Sequence, residues 1–274
     1  MTRTIGMAVI AIGITWSGLV AGASEPSSRP ATQPTTLPAK ELNLDLGNNV
    51  TMRLVLIPAG SFTMGSPKSE TGRSDNEGPQ HQVTISKAFY MGVYEVTQPQ
   101  YTQVMGRNPS RFKDANNPVE CVRWEDVNDF CAKLSHKTGR TVRLPTEAQW
   151  EYACRAGSIA KFYFGDDDSA LGEYAWYTNN SNQEPHPVGL KRANNFGLYD
   201  MHGNVWEWCS DWYTDSYPEG DSADPRGASS GWEHVQRGGS WTNGPPRSCR
   251  SARRNWVDPD LRQATVGFRV VVLD

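Results

Sequence analysis

Residues 143–157, RLPTEAQWEYACRAG, place a Thr-x-x-Gln capping box, Thr146 to Gln149, at the head of a helical stretch. In such a box the threonine hydroxyl accepts the N3 amide and the glutamine side chain reaches back to the N-cap amide. A helix is therefore expected from Glu147, and beyond Gly157 no regular period continues. A second box, Thr97 to Gln100, predicts another helix. A third is expected over Trp124 to His136, with Val127, Phe130, Cys131 and Leu134 on one face.

Further upstream, TMRLVLIPAGSFTMGS (51–66) reads as two short strands around Pro58-Ala59-Gly60, alternating through Leu54, Leu56, Phe62 and Met64. HQVTISKAFYMGVYEVT (81–97) alternates again through Val83, Ile85, Phe89, Met91 and Val93, and VGFRVVV (266–272) predicts one buried terminal strand. The class is α+β, with short strands and long ordered loops that need function or metal to stiffen them.

The composition agrees. With 25 glycines, 18 prolines and 10 tryptophans, the chain is rich in turns and aromatic anchors. Its 27 basic and 30 acidic side chains give a formal charge of -3, too balanced to point to nucleic acid or an anionic membrane. No repeat of 20 to 50 residues is visible.

Residues 1–23 join Arg3, an apolar run from Ile5 to Val20 and Ala21-Gly22-Ala23, the three parts of a secretory signal peptide, so cleavage is expected after Ala23. The run holds Gly13, Thr15, Ser17 and Gly18 and is short for a membrane span. Residues 24–42, rich in Pro, Ser and Thr, read as an extended linker, leaving one domain over 43–274. The mature protein is expected in the periplasm or outside the cell, with no membrane span. Export favours disulfides, and five cysteines, Cys121, Cys131, Cys154, Cys209 and Cys249, leave at least one unpaired within the chain.

Familiar catalytic patterns are missing: there is no HExxH, CxxC, Gly-x-Ser-x-Gly or phosphate loop, and His81, His136, His186, His202 and His234 are scattered. GLYDMHGNVWEW (197–208) brackets a glycine turn with Asp200 and Glu207, a pattern that suits calcium or, more plainly, an Asx turn leading into a strand with Trp206 and Trp208 in the core. Asp166-Asp167-Asp168 lacks the spacing of a calcium loop and reads as a solvated turn.

Seven segments together resemble one family. IPAGSFTMGS (57–66), YEVTQPQY (94–101), NPVECVRWEDVNDFC (117–131), RLPTEAQWEYACRAG, FGLYDMHGNVWEW (196–208), RGGSW (237–241) and GFRV (267–270) are similar, in order, to the formylglycine-generating enzyme, or sulfatase-modifying factor, family. The resemblance implies a single C-type-lectin-like domain with little regular structure, stiffened by calcium. It carries the family's calcium ligands onto the Asp200 side chain, the Gly203 and Val205 carbonyls and the Glu207 carboxylate. A second calcium site would fall between Tyr174 and Asn182, where YAWYTNNSNQ departs from the family's pattern.

The resemblance also locates what is missing. Active members carry two cysteines, three and eight residues after the serine of Gly-Gly-Ser, that bind copper(I) and oxidise a substrate cysteine with O₂. Here those positions hold Asn243 and Ser248. Copper(I) needs soft thiolates, and Cys249 alone cannot replace the pair. The resemblance implies a bridge between Cys154 and Cys249, while Cys131, whose family partner position is Val270, must pair with Cys121 or Cys209 or stay buried and free. Trp206, Ser240, Trp241, Asn243, Arg247 and Arg250 match positions around the family's substrate groove. Arg247, Arg250, Arg253 and Arg254 suit either an anion pocket or a buried ion-pair network that fixes the loop, the network being favoured.

Two functions follow as expectations. One is a calcium-stiffened binding or accessory module acting on an exported protein, peptide or glycan. The other is a copper-dependent oxidase of sulfatases with a rearranged site at Cys249.

Overall fold

The computed structural model describes residues 41–244 and 246–273. The expected leader and linker lie outside these residues, apart from Glu41 and Leu42, which start the first strand two positions ahead of the expected domain boundary. That strand, β1 (Glu41–Gly47), pairs antiparallel with β2 (Val50–Ile57) through Asn48-Asn49. Both asparagines sit at positive φ, 53° and 61°, the backbone that a two-residue hairpin turn requires and that Asn tolerates.

β3 (Gly60–Met64), β4 (His81–Ile85) and β5 (Phe89–Gly92) follow as the alternation predicts. The three predicted helices form. α1 is Gln98–Met105, α2 is Trp124–Thr138, and α3, beyond the short strand β6 (Thr141–Arg143), is Glu147–Arg155. The Thr146 hydroxyl accepts the Gln149 amide at 3.1 Å and the Gln149 side chain accepts the Thr146 amide at 3.1 Å, so the capping box closes as read.

The second half adds α4 (Leu171–Tyr174), β7 (Trp206–Trp212), β8 (Ser222–Ala223), β9 (His234–Arg237), β10 (Asn255–Val257), β11 (Val266–Gly267) and β12 (Val271–Leu273). Three sheets result, ordered β1-β2-β5-β12-β6, β10-β9-β7-β11 and β3-β4-β8. The architecture is α+β, as expected.

VGFRVVV is not one strand. β11 pairs parallel with β7, and β12 pairs antiparallel with β5 and β6, so Phe268 to Val270 carries the chain from one sheet to another. Arg269 causes the break. Its guanidinium meets both oxygens of Glu207 at 2.6 Å and donates to the Gly92 and Tyr199 carbonyls at 3.0 Å each. A charge buried this deeply is tolerated only when its donors are answered, and the strand bends to answer them.

The expected face of α2, Val127, Phe130, Cys131 and Leu134, is buried against β1 and β7. Phe130 stacks on Tyr101 with centroids 5.6 Å apart and meets Phe268 edge-on at 5.2 Å. Trp206 and Trp208 enter this same core. The long segment between α3 and β7 is pinned by polar side chains. Asn194 donates to the Ala153 and Cys154 carbonyls at 2.7 and 3.0 Å, closing the end of α3, and accepts the Phe196 and Leu198 amides. One buried asparagine thus satisfies backbone groups on both sides of the turn.

Candidate functional site

RGGSWTNGPPRSCRSARR (237–254) leaves β9 at Arg237 and folds back on itself. Gly239 lies at φ 86°, and a side-chain carbon there would sit 2.8 Å from the Cys249 sulfur and 3.0 Å from the Ser248 carbonyl. Only glycine lets the two arms close this tightly.

Ser240 donates its amide and hydroxyl to the Asn243 side-chain oxygen at 2.7 and 2.9 Å, and the Asn243 amide returns to the Ser240 carbonyl at 3.0 Å. Trp241 is tied by its amide to the Asn204 carbonyl at 2.8 Å and by its indole to the Ala264 carbonyl at 3.1 Å. Trp206, Ser240 and Trp241 are all buried, so of the expected groove residues Asn243 and Arg247 carry the accessible surface.

All five cysteines are thiols in the structure. The bridge expected between Cys154 and Cys249 is not formed. Cys249 sits in an apolar cluster with Phe162, Leu171, Ala175 and Tyr177, whereas Cys154 belongs to the cluster of Trp150 and Ala153. The Cys154 thiol points at the Met201 carbonyl, 3.8 Å away, and lies 4.0 Å from the His202 ring. Burial pushes Cys249, Cys154 and Cys131 up to about 12, far above the range in which a free thiol ionises to a nucleophile at neutral pH. Of the alternatives for Cys131, it stays buried and free.

The arginines of the segment form a network. Arg250, expected at the groove, is fully buried and pairs with both oxygens of Glu77, at 2.5 and 2.7 Å, and with Glu70 at 2.5 Å. Arg254 takes Glu147 at 2.7 and 3.0 Å, and Arg253 donates to the Ser74 hydroxyl. Arg237 pairs with Glu151, which also holds Arg155 at 2.8 Å. Arg247 stays exposed. These pairs clamp the loop to the 70–77 segment and to α3, far away in sequence, which is what a long irregular segment needs.

A buried acid beside this network carries a pH dependence. Asp211 accepts the Glu147 amide at 2.9 Å and the Ser210 hydroxyl at 3.0 Å. Burial, then the charge of Glu147, pushes its carboxyl up to about 7. The folded state therefore holds a proton that the unfolded chain releases near pH 4, so stability from this group is full below that pH and is lost as pH rises through 7. Asp211→Asn mimics the protonated acid. It is expected to raise stability at pH 8 by on the order of 2–4 kcal/mol while changing little at pH 4, measured by denaturant melts at both values.

The glycine turn of 200–207 is where the resemblance implies calcium. Asp200 is 1% exposed; one oxygen accepts the Gly189 amide at 2.7 Å and the other has no partner. Gly203, at φ 81°, lies so close to Trp176 that a side-chain carbon would sit 2.2 Å from its carbonyl oxygen. Glu95, missed in the sequence, accepts the Val205 amide at 3.1 Å and the Asn204 side chain at 2.7 Å. Burial and the neighbouring Asp200 and Glu207 charges hold it well above the usual carboxylate range.

Three buried acids thus face one fully buried cation, Arg269, an excess that favours a bound metal ion. The orphan oxygen of Asp200 fits a hard cation. Glu207 does not: its oxygens are taken by Arg269 and by the Trp150 indole at 2.7 Å. Among the described residues no three His, Cys, Asp or Glu side chains converge on one metal position. A calcium here would lean on Asp200 and on main-chain oxygens.

The "Sulfatase-modifying factor enzyme 1-like domain" family matches residues 44–273. A chaperone protein LppX of Paenibacillus barcinonensis is 32% identical over 69% of this chain and 79% of its own. The formylglycine-generating enzyme of Mus musculus is 29% identical over 79% of this chain and 74% of its own. The solved structure of Treponema denticola variable protein 1 superposes with a TM-score of 0.78 at 30% identity, covering 85% of this chain and 98% of that one.

Proposed function

The chain belongs to the sulfatase-modifying factor enzyme 1-like domain family, and we propose that it acts there as an exported binding or accessory module with a C-type-lectin-like fold, stiffened by calcium, rather than as an oxidase. One observation carries this reading. Where active members place two thiols, this chain has Asn243, whose carboxamide is spent on closing the Ser240 turn, and Ser248. The nearby thiol, Cys249, is sealed beneath Gly239 and held protonated. A linear copper(I) site needs two reachable thiolates.

The similarity to a protein named a chaperone supports an accessory role on an exported partner, a protein, peptide or glycan, with a sulfatase among the candidates. The leader-like residues 1–23 support export, and no helix among the described residues is long and apolar enough to cross a membrane. The orphaned Asp200 oxygen supports calcium.

The similarity to the mouse enzyme favours the second reading, a copper-dependent oxidase. A peptide assay separates them. The purified chain, supplied with copper and O₂, is expected to leave a Cys-x-Pro-x-Arg peptide at its original mass. Conversion of the cysteine to formylglycine would overturn the proposal.

A further inference from the structure

A second feature lies away from the glycine turn, where the end of β6, the head of α3 and the segment after β8 meet. Lys87, Arg143, Thr146, Gln149, Asp224 and Arg226 line a pocket of about 230 Å³, room for several waters at about 30 Å³ each. Among the described residues three cations share it with one acid.

That acid is already engaged. Asp224 accepts the Ser86 amide at 2.9 Å and the Ser86 hydroxyl. These bonds, and then the charges of Lys87 and Arg226, hold its carboxyl below the usual range. Arg143 is half-buried and bonds only the carbonyl of Leu144, its chain neighbour, at 2.7 Å. Among the described residues no carboxylate lies within ion-pair distance of Lys87, Arg143 or Arg226. Burial and then the like charge of Arg226 hold the Arg143 guanidinium below its ordinary value, with Asp211 behind it drawing the other way.

Among the described residues each fully buried guanidinium, Arg155, Arg237, Arg250, Arg254 and Arg269, has a carboxylate within reach, while the half-buried Arg143 and Arg253 have none. Arg143 differs from Arg253 in sharing a cavity with a second guanidinium, and two guanidiniums so placed repel unless an anion lies between them. Neutral donors complete the arrangement. Thr146 lines the pocket from the head of α3, and Gln149, whose carbonyl oxygen holds the Thr146 amide, keeps its amide NH₂ available. Guanidinium forks matched to oxygens are the chemistry that recognises sulfate and phosphate.

We propose that this pocket binds a tetrahedral oxyanion, sulfate or phosphate, either free or borne on a larger ligand, with Arg143 and Arg226 as its principal contacts. Titration calorimetry of the full chain at low ionic strength and pH 7.5 tests it, using inorganic sulfate, inorganic phosphate, O-sulfotyrosine and O-phosphoserine, with planar nitrate as the control. Saturable one-to-one binding of at least one of the four is expected, at least tenfold tighter than nitrate and weakening as sodium chloride is raised.

Arg143→Gln and Arg226→Gln are each expected to weaken it at least tenfold. Arg226 is exposed, so its variant keeps the fold whatever Arg143→Gln does, and a thermal melt verifies this. Tighter binding of the inorganic ions assigns a free anion; tighter binding of the conjugates assigns a borne one. No saturable binding by any of the four, or binding unchanged in Arg226→Gln, overturns the proposal.

Discussion

Glu151→Gln is expected to cost about 3–5 kcal/mol of folding stability, because it strips buried Arg155 of its countercharge and leaves buried Arg237 only Glu147, 3.8 Å away. Glu151 is fully buried, with one oxygen accepting Arg155 at 2.8 Å and the Gly65 amide at 3.0 Å and the other holding Arg237. Both arginines are at most 4% exposed, so water cannot replace the lost carboxylate. Arg237 in turn donates to the Ala252 and Arg253 carbonyls at 2.8 and 2.7 Å, so the substitution loosens the whole return arm of the 237–254 loop.

Against a typical stability of 5–15 kcal/mol, the variant should melt about 10 °C lower or more. Glu173→Gln removes the exposed partner of Arg192 and is expected to leave the melting curve where it is. Equal melting of the two variants would show that the network adds nothing.

Gly203→Ala is the second large effect. The added carbon would lie 2.2 Å from the Trp176 carbonyl oxygen and 2.9 Å from its carbon, and both are backbone atoms that cannot swing aside. The residue must also hold φ at 81°, left-handed backbone that alanine resists. Strain and clash together should cost about 3 kcal/mol or more. Gly106→Ala is the control: its φ is 74° but nothing lies within 4 Å of the added carbon, so it carries the strain without the clash.

The same variant probes calcium. A ligand that binds only the folded chain stabilises it by about 2.7 kcal/mol at a hundredfold excess over its Kd. The native chain should therefore melt higher in calcium than in chelator, and Gly203→Ala, with its turn displaced, should lose that difference. Identical melting of the native chain in both media would remove calcium from the account.

What could be read ahead of the structure follows from how local each signal is. The heads of α1 and α3 were legible because a capping box spans four residues, and α2 because its apolar face repeats every turn. β1 carried the alternation of Leu42, Leu44 and Leu46, but a domain boundary at Asn43 cuts through it. β7 was foreseen as the strand that buries Trp206 and Trp208, whereas β9 was hidden for a different reason. All four residues of β9, His234 to Arg237, are buried although three are polar, and Glu207 is buried between Trp206 and Trp208. Alternation marks a strand only when one face meets water, and here both faces meet partners.

Those partners are distant. Arg250 meets Glu77 across 173 residues and Arg237 meets Glu151 across 86, so the sequence named the arginines of the loop without naming their acids. Glu95 escaped notice for the same reason, lying 110 residues from the amide it binds. The turn that holds Asp200 and Gly203 was legible because it is short. That Arg269 takes up the Glu207 carboxylate was not, since it sits 62 residues away in a strand that looked continuous.

The central claim is that this scaffold lacks a copper site. Its most direct test is an anaerobic copper(I) titration of the reduced, folded chain against a competing chelator, followed by alkylation to find which cysteines the metal protects. The account predicts no stoichiometric binding and no protected pair, because the positions of the thiol pair hold Asn243 and Ser248, and Cys131, Cys154, Cys209 and Cys249 are buried in the core. One tightly bound copper(I) per chain, protecting Cys249 together with a second cysteine, would contradict it and make the chain an oxidase with a displaced site.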